Sequence, residues 1–338
     1  MKRGLINVGI IGLGYWGPQL LRNFFSHKLV KVKFGCDLSR ERLVQLKKIY
    51  PNITFVQNYF EILKDKTIDL VCVATPTETH FQIAKEVLKA KKNVLIEKPM
   101  ASSSSECKKL INIAKKVKKT IFVDHTFIFS PSIQKIKTLL PQIGTPLYFD
   151  SERINLGLLR KDVNVIWDLA PHDFSILTYL FPNLSPLSLQ VVASSHIHPS
   201  LEDLAHIMVK FKKNFIAHIH VSWISPLKIR KIIIGGSKRM IWYNDIEPIE
   251  KVKVYQKKVK IDLRKENVFH PRYISGDILI PKIENKEPLA IEVNHIVKSL
   301  LYKKKPLVGG EEGLKVVEFL EWCDKSLKEK REVKIKTQ

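Results

Sequence analysis

Apolar positions in the first 125 residues follow two alternating rhythms. Short runs that are apolar at most positions, Ile6–Ile11, Val30–Cys36, Ile68–Ala74, Asn93–Ile96 and Ile121–Val123, are separated by stretches of helical period at Pro18–Phe25, Arg40–Lys48, Thr79–Lys89 and Ser104–Val117. The run Leu70-Val71-Cys72-Val73-Ala74 has no polar position at all. A strand of that kind needs cover on both faces, as in a parallel sheet with crossover helices. The pattern predicts an α/β, doubly wound domain over residues 1–125.

After Thr126 the rhythm changes. A helix is expected at Ser132–Leu140, a strand at Leu147–Ile154 and a helix after Asp168. Several strands then follow, punctuated by the hairpin signals Lys212-Lys213-Asn214, Gly235-Gly236-Ser237 and Gln256-Lys257-Lys258. Phe215, Ala217, Ile219, Val221 and Trp223 alternate with Ile216, His218, His220 and Ser222, which predicts a sheet with one apolar and one largely polar face. Helical patterns at Leu289–Tyr302 and Glu312–Lys328 close the chain. Residues 126–338 therefore read as an α+β domain on an antiparallel sheet.

Composition agrees with two globular domains: 338 residues exceed what one core usually organises, and 45% hydrophobic residues exclude a disordered chain. The net charge of +24 raises the question of a polyanionic partner. No arginine-rich helix, helix-turn-helix, zinc motif or aromatic RNA-binding signature accompanies it, and the excess is lysine scattered in pairs such as Lys47-Lys48, Lys91-Lys92 and Lys115-Lys116. Solvated surface explains most of it, and no specific nucleic-acid partner is expected. Cys36, Cys72, Cys107 and Cys323 lack metal or disulfide spacing, which suits free thiols in a reducing cytoplasm. No run approaches membrane-spanning length, and the glycines soon after Met1-Lys2-Arg3 argue against a signal peptide.

Candidate chemistry begins at Gly12-Leu13-Gly14-Tyr15-Trp16-Gly17, which directly follows a strand and directly precedes a helix. In that context Gly12 permits the tight turn, Gly14 the approach of a pyrophosphate and Gly17 the packing of helix on strand. The helix N-terminus then presents free N–H groups to the phosphates. Tyr15 and Trp16 lie inside the turn and are expected beside the cofactor, although aromatics at such positions serve packing as often. Asp37 ends the second strand, where a carboxylate accepts from the adenosine ribose of NAD and repels the 2′-phosphate of NADP. Arg40 follows closely and could pair with that phosphate, so NADP stays possible.

Glu97-Lys98-Pro99 ends a strand at the carboxyl edge, where ligands of open α/β sheets bind. A lysine held there could bind a substrate hydroxyl and help move its proton. Taken together with Gly12–Gly17, the run Ala74-Thr75-Pro76-Thr77 and Asp168/His172, the chain resembles the glucose-fructose oxidoreductase / inositol dehydrogenase (Gfo/Idh/MocA) family over nearly its whole length. The resemblance implies a Rossmann domain followed by a large, mostly antiparallel sheet whose face often serves oligomerisation, hence a homodimer or homotetramer. It implies NAD(P)-dependent hydride transfer at a CH–OH group, with Lys98 catalytic. It also puts Thr75, Pro76, His80, Glu97 and Lys98 along the cofactor, His80 matching a histidine commonly found after that loop.

Asp168 and His172, four apart, share a helix face. Pro171 belongs in a first turn, which places Asp168 near the N-cap and His172 where the helix dipole keeps an imidazole neutral. The spacing matches the family's second catalytic motif, and the resemblance implies that His172, assisted by Asp168 and Lys98, takes the proton of a substrate hydroxyl. Arg153, Arg160, Lys228 and Arg230 would suit an anionic substrate. The wording Trp-Asp-Leu-Ala-Pro-His-Asp is similar to that of nucleotide-sugar dehydrogenases of surface polysaccharide synthesis. The substrate expected is a sugar, nucleotide-sugar or cyclitol. His196, His198, His206, His218 and His220 lack acidic or cysteine partners at ligand spacing, so no metal is expected. A rival reading is a non-catalytic dinucleotide-binding regulator resembling the galactose-pathway repressor. Retention of Lys98, Asp168 and His172 together favours an enzyme.

Overall fold

The computed structural model describes residues 4–157, 159–261 and 271–335. By the density of its contacts the chain forms two compact units: the chain up to Ser130 with Lys286–Glu318, and Pro131–Asn285 with the chain from Phe319.

In the first unit the elements run β1 (Ile6–Ile11), α1 (Gly17–Phe25), β2 (Val30–Cys36), α2 (Arg40–Ile49), β3 (Thr54–Val56), α3 (Phe60–Lys64), β4 (Leu70–Val73), α4 (Thr77–Lys89), β5 (Asn93–Glu97), α5 (Ser104–Val117) and β6 (Ile121–Asp124). All six strands are parallel, in the order β3-β2-β1-β4-β5-β6. This is the doubly wound order, with its switch point between β1 and β4. Every residue of β4 is buried, as its unbroken apolar run requires. Serines start two helices: Ser39 accepts from Arg42 N–H and Ser103 from Glu106 N–H. The short β3 and α3 carry too few apolar positions to show a period, and no element was expected there.

The second unit begins with α6 (Pro131–Leu139), β7 (Pro146–Leu156) and α7 (Val165–Leu180), followed by β8 (Pro186–Ser194), β9 (Leu204–Phe211), β10 (Phe215–Ser222), β11 (Ile224–Gly236), β12 (Met240–Asn244), β13 (Val252–Ile261) and β14 (Pro271–Leu279). These strands, with a late β15 (Val333–Lys334), form a nine-stranded sheet in the order β14-β13-β12-β11-β7-β10-β9-β8-β15. Among the described residues of this sheet, β7 and β10 form the one parallel pair. Phe149, Ala217, Ile219, Val221, Ile207 and Val209 are buried on one face, while Asp150, Glu152, His206, His218 and His220 share the other. Two hairpin expectations hold. Lys213 and Asn214 both adopt positive φ between β9 and β10, and Gly235-Gly236-Ser237 leads from β11 to β12. The third does not: β13 runs through Gln256–Lys258 in antiparallel pairing with β14, and only a register shift between Tyr255 and Lys257 marks the spot.

The last helices, α8 (Pro288–Tyr302) and α9 (Gly310–Glu329), break the expected division at residue 126. Leu289, Val293, Ile296 and Val297 of α8 complete the core formed by Val8, Ile10, Leu20, Leu21 and Phe24 of the first unit. The amphipathic period identified the helix correctly, but a period does not say which sheet it covers.

Candidate active site

The glycine turn is shaped by steric requirements at two of its glycines and by open space at the third. Gly12 has φ +87°, and a Cβ on it would lie 2.5 Å from the Ala74 carbonyl oxygen. A Cβ on Gly17 would lie 1.9 Å from the Gly12 carbonyl oxygen. At Gly14 a Cβ would meet nothing within 4 Å, so the backbone there borders open space. These residues fit a dinucleotide phosphate, which needs that space beside a helix N-terminus. Pro18 falls in the first turn of α1, where no N–H is missed. Tyr15 is 85% exposed, whereas the Trp16 indole turns inward and donates from Nε1 to Asp124 Oδ2 at 2.6 Å.

Asp37 follows β2 and fastens the turn. Its Oδ2 accepts from Leu13 N–H at 2.7 Å and its Oδ1 from Ser39 N–H at 2.8 Å. The cation beside it is Arg42, at 3.4 Å, in place of the expected Arg40; α2 starts at Arg40, and two residues further on the helix turns the guanidinium back to the strand end. Oδ1 accepts from both Ser39 and Arg42, and Oδ2, with the Leu13 donor, retains a second lone pair for a ribose hydroxyl.

On the other side of the switch point, Thr75 and Pro76 lead from β4 into α4. Pro76 is exposed and Thr75 accepts from the Thr79 hydroxyl at 2.7 Å. His80 departs from expectation. It is buried, its Nδ1 lies 2.9 Å from the Pro99 carbonyl oxygen and its Nε2 2.7 Å from that of Thr75. It ties the two loops together from behind instead of lining a surface. Glu97 and Lys98 are half-buried at the end of β5, and the Lys98–Pro99 peptide is cis.

Sequence reasoning missed three groups near this edge. Asp124, paired in register with Glu97, is buried and also accepts from the Thr126 hydroxyl. Burial raises its pKa against the hydrogen bonds from Thr126 and Trp16. Glu292 of α8 is buried as well, and burial and Asp124 hold its carboxyl well above the usual range. Burial, with the Lys98 charge, pushes His125 down to about 3. Asp-His at the end of a strand was a visible signal for the first and third; Glu292 comes from 168 residues further along the chain and had none.

In the second unit α7 begins earlier than the proline suggested. Asn164 is the N-cap and accepts from Trp167 N–H at 3.1 Å. Asp168 is then the fourth helical residue, Pro171 lies inside the helix and His172 one turn beyond Asp168. Neither the capping role for Asp168 nor the dipole argument for His172 survives, because that field decays within the first turn. An asparagine cap and ten buried residues along α7 outweigh the one hydrogen bond that Pro171 cannot make. Asp168 accepts from Trp223 Nε1 at 3.0 Å and lies 3.5 Å from Arg160, which also grips Asp162. Trp167 donates to both carboxylate oxygens of Asp324 at 3.0 Å. Burial lifts the Asp324 pKa to about 6.

The expected basic set divides. Arg153 is buried in a two-point pair with Asp173, Nε to Oδ2 at 2.8 Å and an NH2 to Oδ1 contact at 3.2 Å, with Ser151 donating to the same carboxylate at 2.7 Å. It fastens α7 to β7 and is no open substrate ligand. Arg230 pairs in register with Arg153 and reaches Asp245 at 3.4 Å. Lys228 is exposed in the irregular stretch between Ile224 and Ile229. His206 stacks on His220 at 4.2 Å between ring centres, and His218 meets Asp150 at 2.9 Å. Among the described residues no group of three or more His, Cys, Asp or Glu could hold a metal ion, and no helix is long and apolar enough to cross a membrane.

Comparison with known proteins places this geometry. The oxidoreductase family described as GFO/IDH/MocA, NAD-binding Rossmann fold, matches residues 6–125, and the GFO/IDH/MocA C-terminal domain matches residues 149–242. UDP-N-acetylglucosamine 3-dehydrogenase of Acidithiobacillus ferrooxidans is 29% identical over 69% of this chain and 72% of its own. Myo-inositol 2-dehydrogenase of Thermotoga maritima is 23% identical over 98% of each chain. The crystal structure of GenD2 from gentamicin A biosynthesis, in complex with NAD, superposes with a TM-score of 0.84 over 100% of this chain and 98% of that one, at 18% identity, a likeness of fold. The chain is an NAD-binding oxidoreductase and belongs to the Gfo/Idh/MocA family.

Proposed function

We propose that the protein oxidises a secondary alcohol of a sugar, nucleotide-sugar or cyclitol, or reduces the matching ketone. The observation that carries the reading is the joint presence of a dinucleotide turn open at Gly14 and an Asp168/His172 pair one helical turn apart on α7. A module that only bound the dinucleotide would need no such proton acceptor.

In this reading Gly12, Gly14 and Gly17 receive the pyrophosphate and Asp37 takes the ribose hydroxyls. Thr75, Pro76 and Glu97 line the cofactor. When bound, the nicotinamide supplies the acceptor or donor of hydride. His172 takes the proton from the substrate hydroxyl, and Asp168 favours the imidazolium that forms. Lys98, at the carboxyl edge of the first unit, is the cation that would stabilise negative charge developing on a substrate oxygen. The exposed Lys228 is a cation that an anionic substrate could meet. The similarity to a UDP-N-acetylglucosamine dehydrogenase supports a nucleotide-sugar, and that to an inositol dehydrogenase supports a cyclitol.

The test is a screen of NADH and NADPH formation and consumption with UDP-sugars, inositols and free sugars. Turnover confined to one class identifies the substrate. NAD binding without turnover of any of them would overturn the enzymatic reading in favour of a regulatory one.

A further inference from the structure

Three distant segments meet at the Trp16 indole. Trp16 stands immediately before α1, and its carbonyl accepts from Gln19 and Leu20 N–H at 2.9 and 3.2 Å. Its Nε1 reaches across to Asp124 at the end of β6, which also holds the Thr126 hydroxyl. Glu292, from α8, hydrogen-bonds to the same Asp124. Asp124 and Glu292 are 2% and 1% exposed, and Glu292 Oε2 has no hydrogen-bond partner among the described residues. Two ionised carboxylates in hydrogen-bonding contact away from water repel each other strongly, so such pairs retain a proton.

We propose that Asp124 and Glu292 hold one proton between them and, through the Trp16 indole, act as positioning residues for the dinucleotide-binding turn. Trp16 is followed directly by Gly17 and lies two residues beyond Gly14. An indole fixed at Nε1 therefore restricts the backbone that must face the pyrophosphate, so less order has to be imposed on binding. The protonated carboxyl donates to its partner, and the partner keeps a lone pair for Trp16. Loss of the shared proton leaves two buried charges, whose relief is to part and admit water, releasing the indole. The charged and titratable groups acting on the pair are Glu97 and Lys98 from the end of β5 and the Cys72 thiol from β4, and His125, which follows Asp124 in the chain, is buried beside Lys98. This device needs dinucleotide binding alone and is independent of the substrate.

The test measures the Kd for NAD by calorimetry from pH 6 to 9, with melting temperatures as a fold control. Trp16→Phe, which removes one N–H, should raise Kd about tenfold, the usual worth of a hydrogen bond to a charged group. For the wild type, Kd should rise with pH as the pair loses its proton. Glu292→Gln, whose amide donates at every pH, should bind as the wild type does at low pH and lose the pH dependence, while Glu292→Ala should resemble Trp16→Phe. An unchanged Kd for Trp16→Phe, or a Glu292→Gln profile that parallels the wild type, would overturn the proposal. Failure of the wild type to bind NAD would refute the dinucleotide site as well, which separates the two. If Glu292→Ala does not fold, Trp16→Phe and Glu292→Gln decide the matter.

Discussion

Asp173 and Asp124 are both buried acids that receive a hydroxyl hydrogen bond, from Ser151 and Thr126 respectively. Asp173 faces the Arg153 guanidinium at two points, and Asp124 faces a second carboxyl. The first arrangement sets opposite charges against each other at two points and locks α7 onto its sheet. The second couples a proton to the cofactor turn. A buried charge compensated by a permanent opposite charge makes a scaffold, and one compensated by a proton makes a part whose strength depends on conditions.

That contrast can be sharpened by substitutions, beginning with the largest effect. His172→Ala should lower the rate of hydride transfer by about 10²–10⁴-fold, the usual contribution of general acid–base catalysis, with the Kd for NAD near its wild-type value. Single-turnover kinetics would show it, and unchanged turnover would remove His172 from the mechanism. Arg153→Met strands the Asp173 charge and should cost about 3–5 kcal/mol in chemical denaturation, as breaking buried ion pairs does. A loss below about 1 kcal/mol would mean that the pair is no scaffold. Asp37→Ala should shift the NAD:NADP preference toward NADP by about tenfold, since the carboxylate no longer repels a 2′-phosphate and Arg42 is released to bind it. Equal loss for both cofactors would make Asp37 a fastener of Leu13 only.

The smallest effect concerns Asp324. The folded carboxyl keeps its proton up to about pH 6, above its range in an unfolded chain. The folded state therefore binds more protons in that window, and stability falls as the pH rises through it. The melting temperature of the wild type, relative to Asp324→Asn, should be higher at pH 5 than at pH 7.5. A difference independent of pH would show that Trp167 holds the carboxylate ionised throughout.

Local patterns were legible and long-range partnerships were not. Five of the six strands of the first unit follow their apolar runs closely, because a strand covered on both faces has little other composition open to it, and the short β3 has no such run. The glycine turn could be read because its backbone demands are met by one residue type. Asp168 was misjudged on a local rule, that proline belongs in a first turn, which the packing of α7 overrode. His80 and Arg153 match the expected residue types but are held inside by carbonyl groups and by Asp173. No spacing along the chain reports on such contacts. Glu292 shows the limit most clearly, since its meaning rests on a neighbour 168 residues away.

The return of α8 to the first core also bears on how the protein is made. Leu289, Val293, Ile296 and Val297 emerge from the ribosome after Pro131–Asn285 of the second unit has been synthesised, although they complete a core begun at Val8. At ordinary translation speeds the apolar face awaiting them stays uncovered for roughly 10–30 s. During that interval the nascent first unit presents a surface that a chaperone can hold and that a truncated chain could never close.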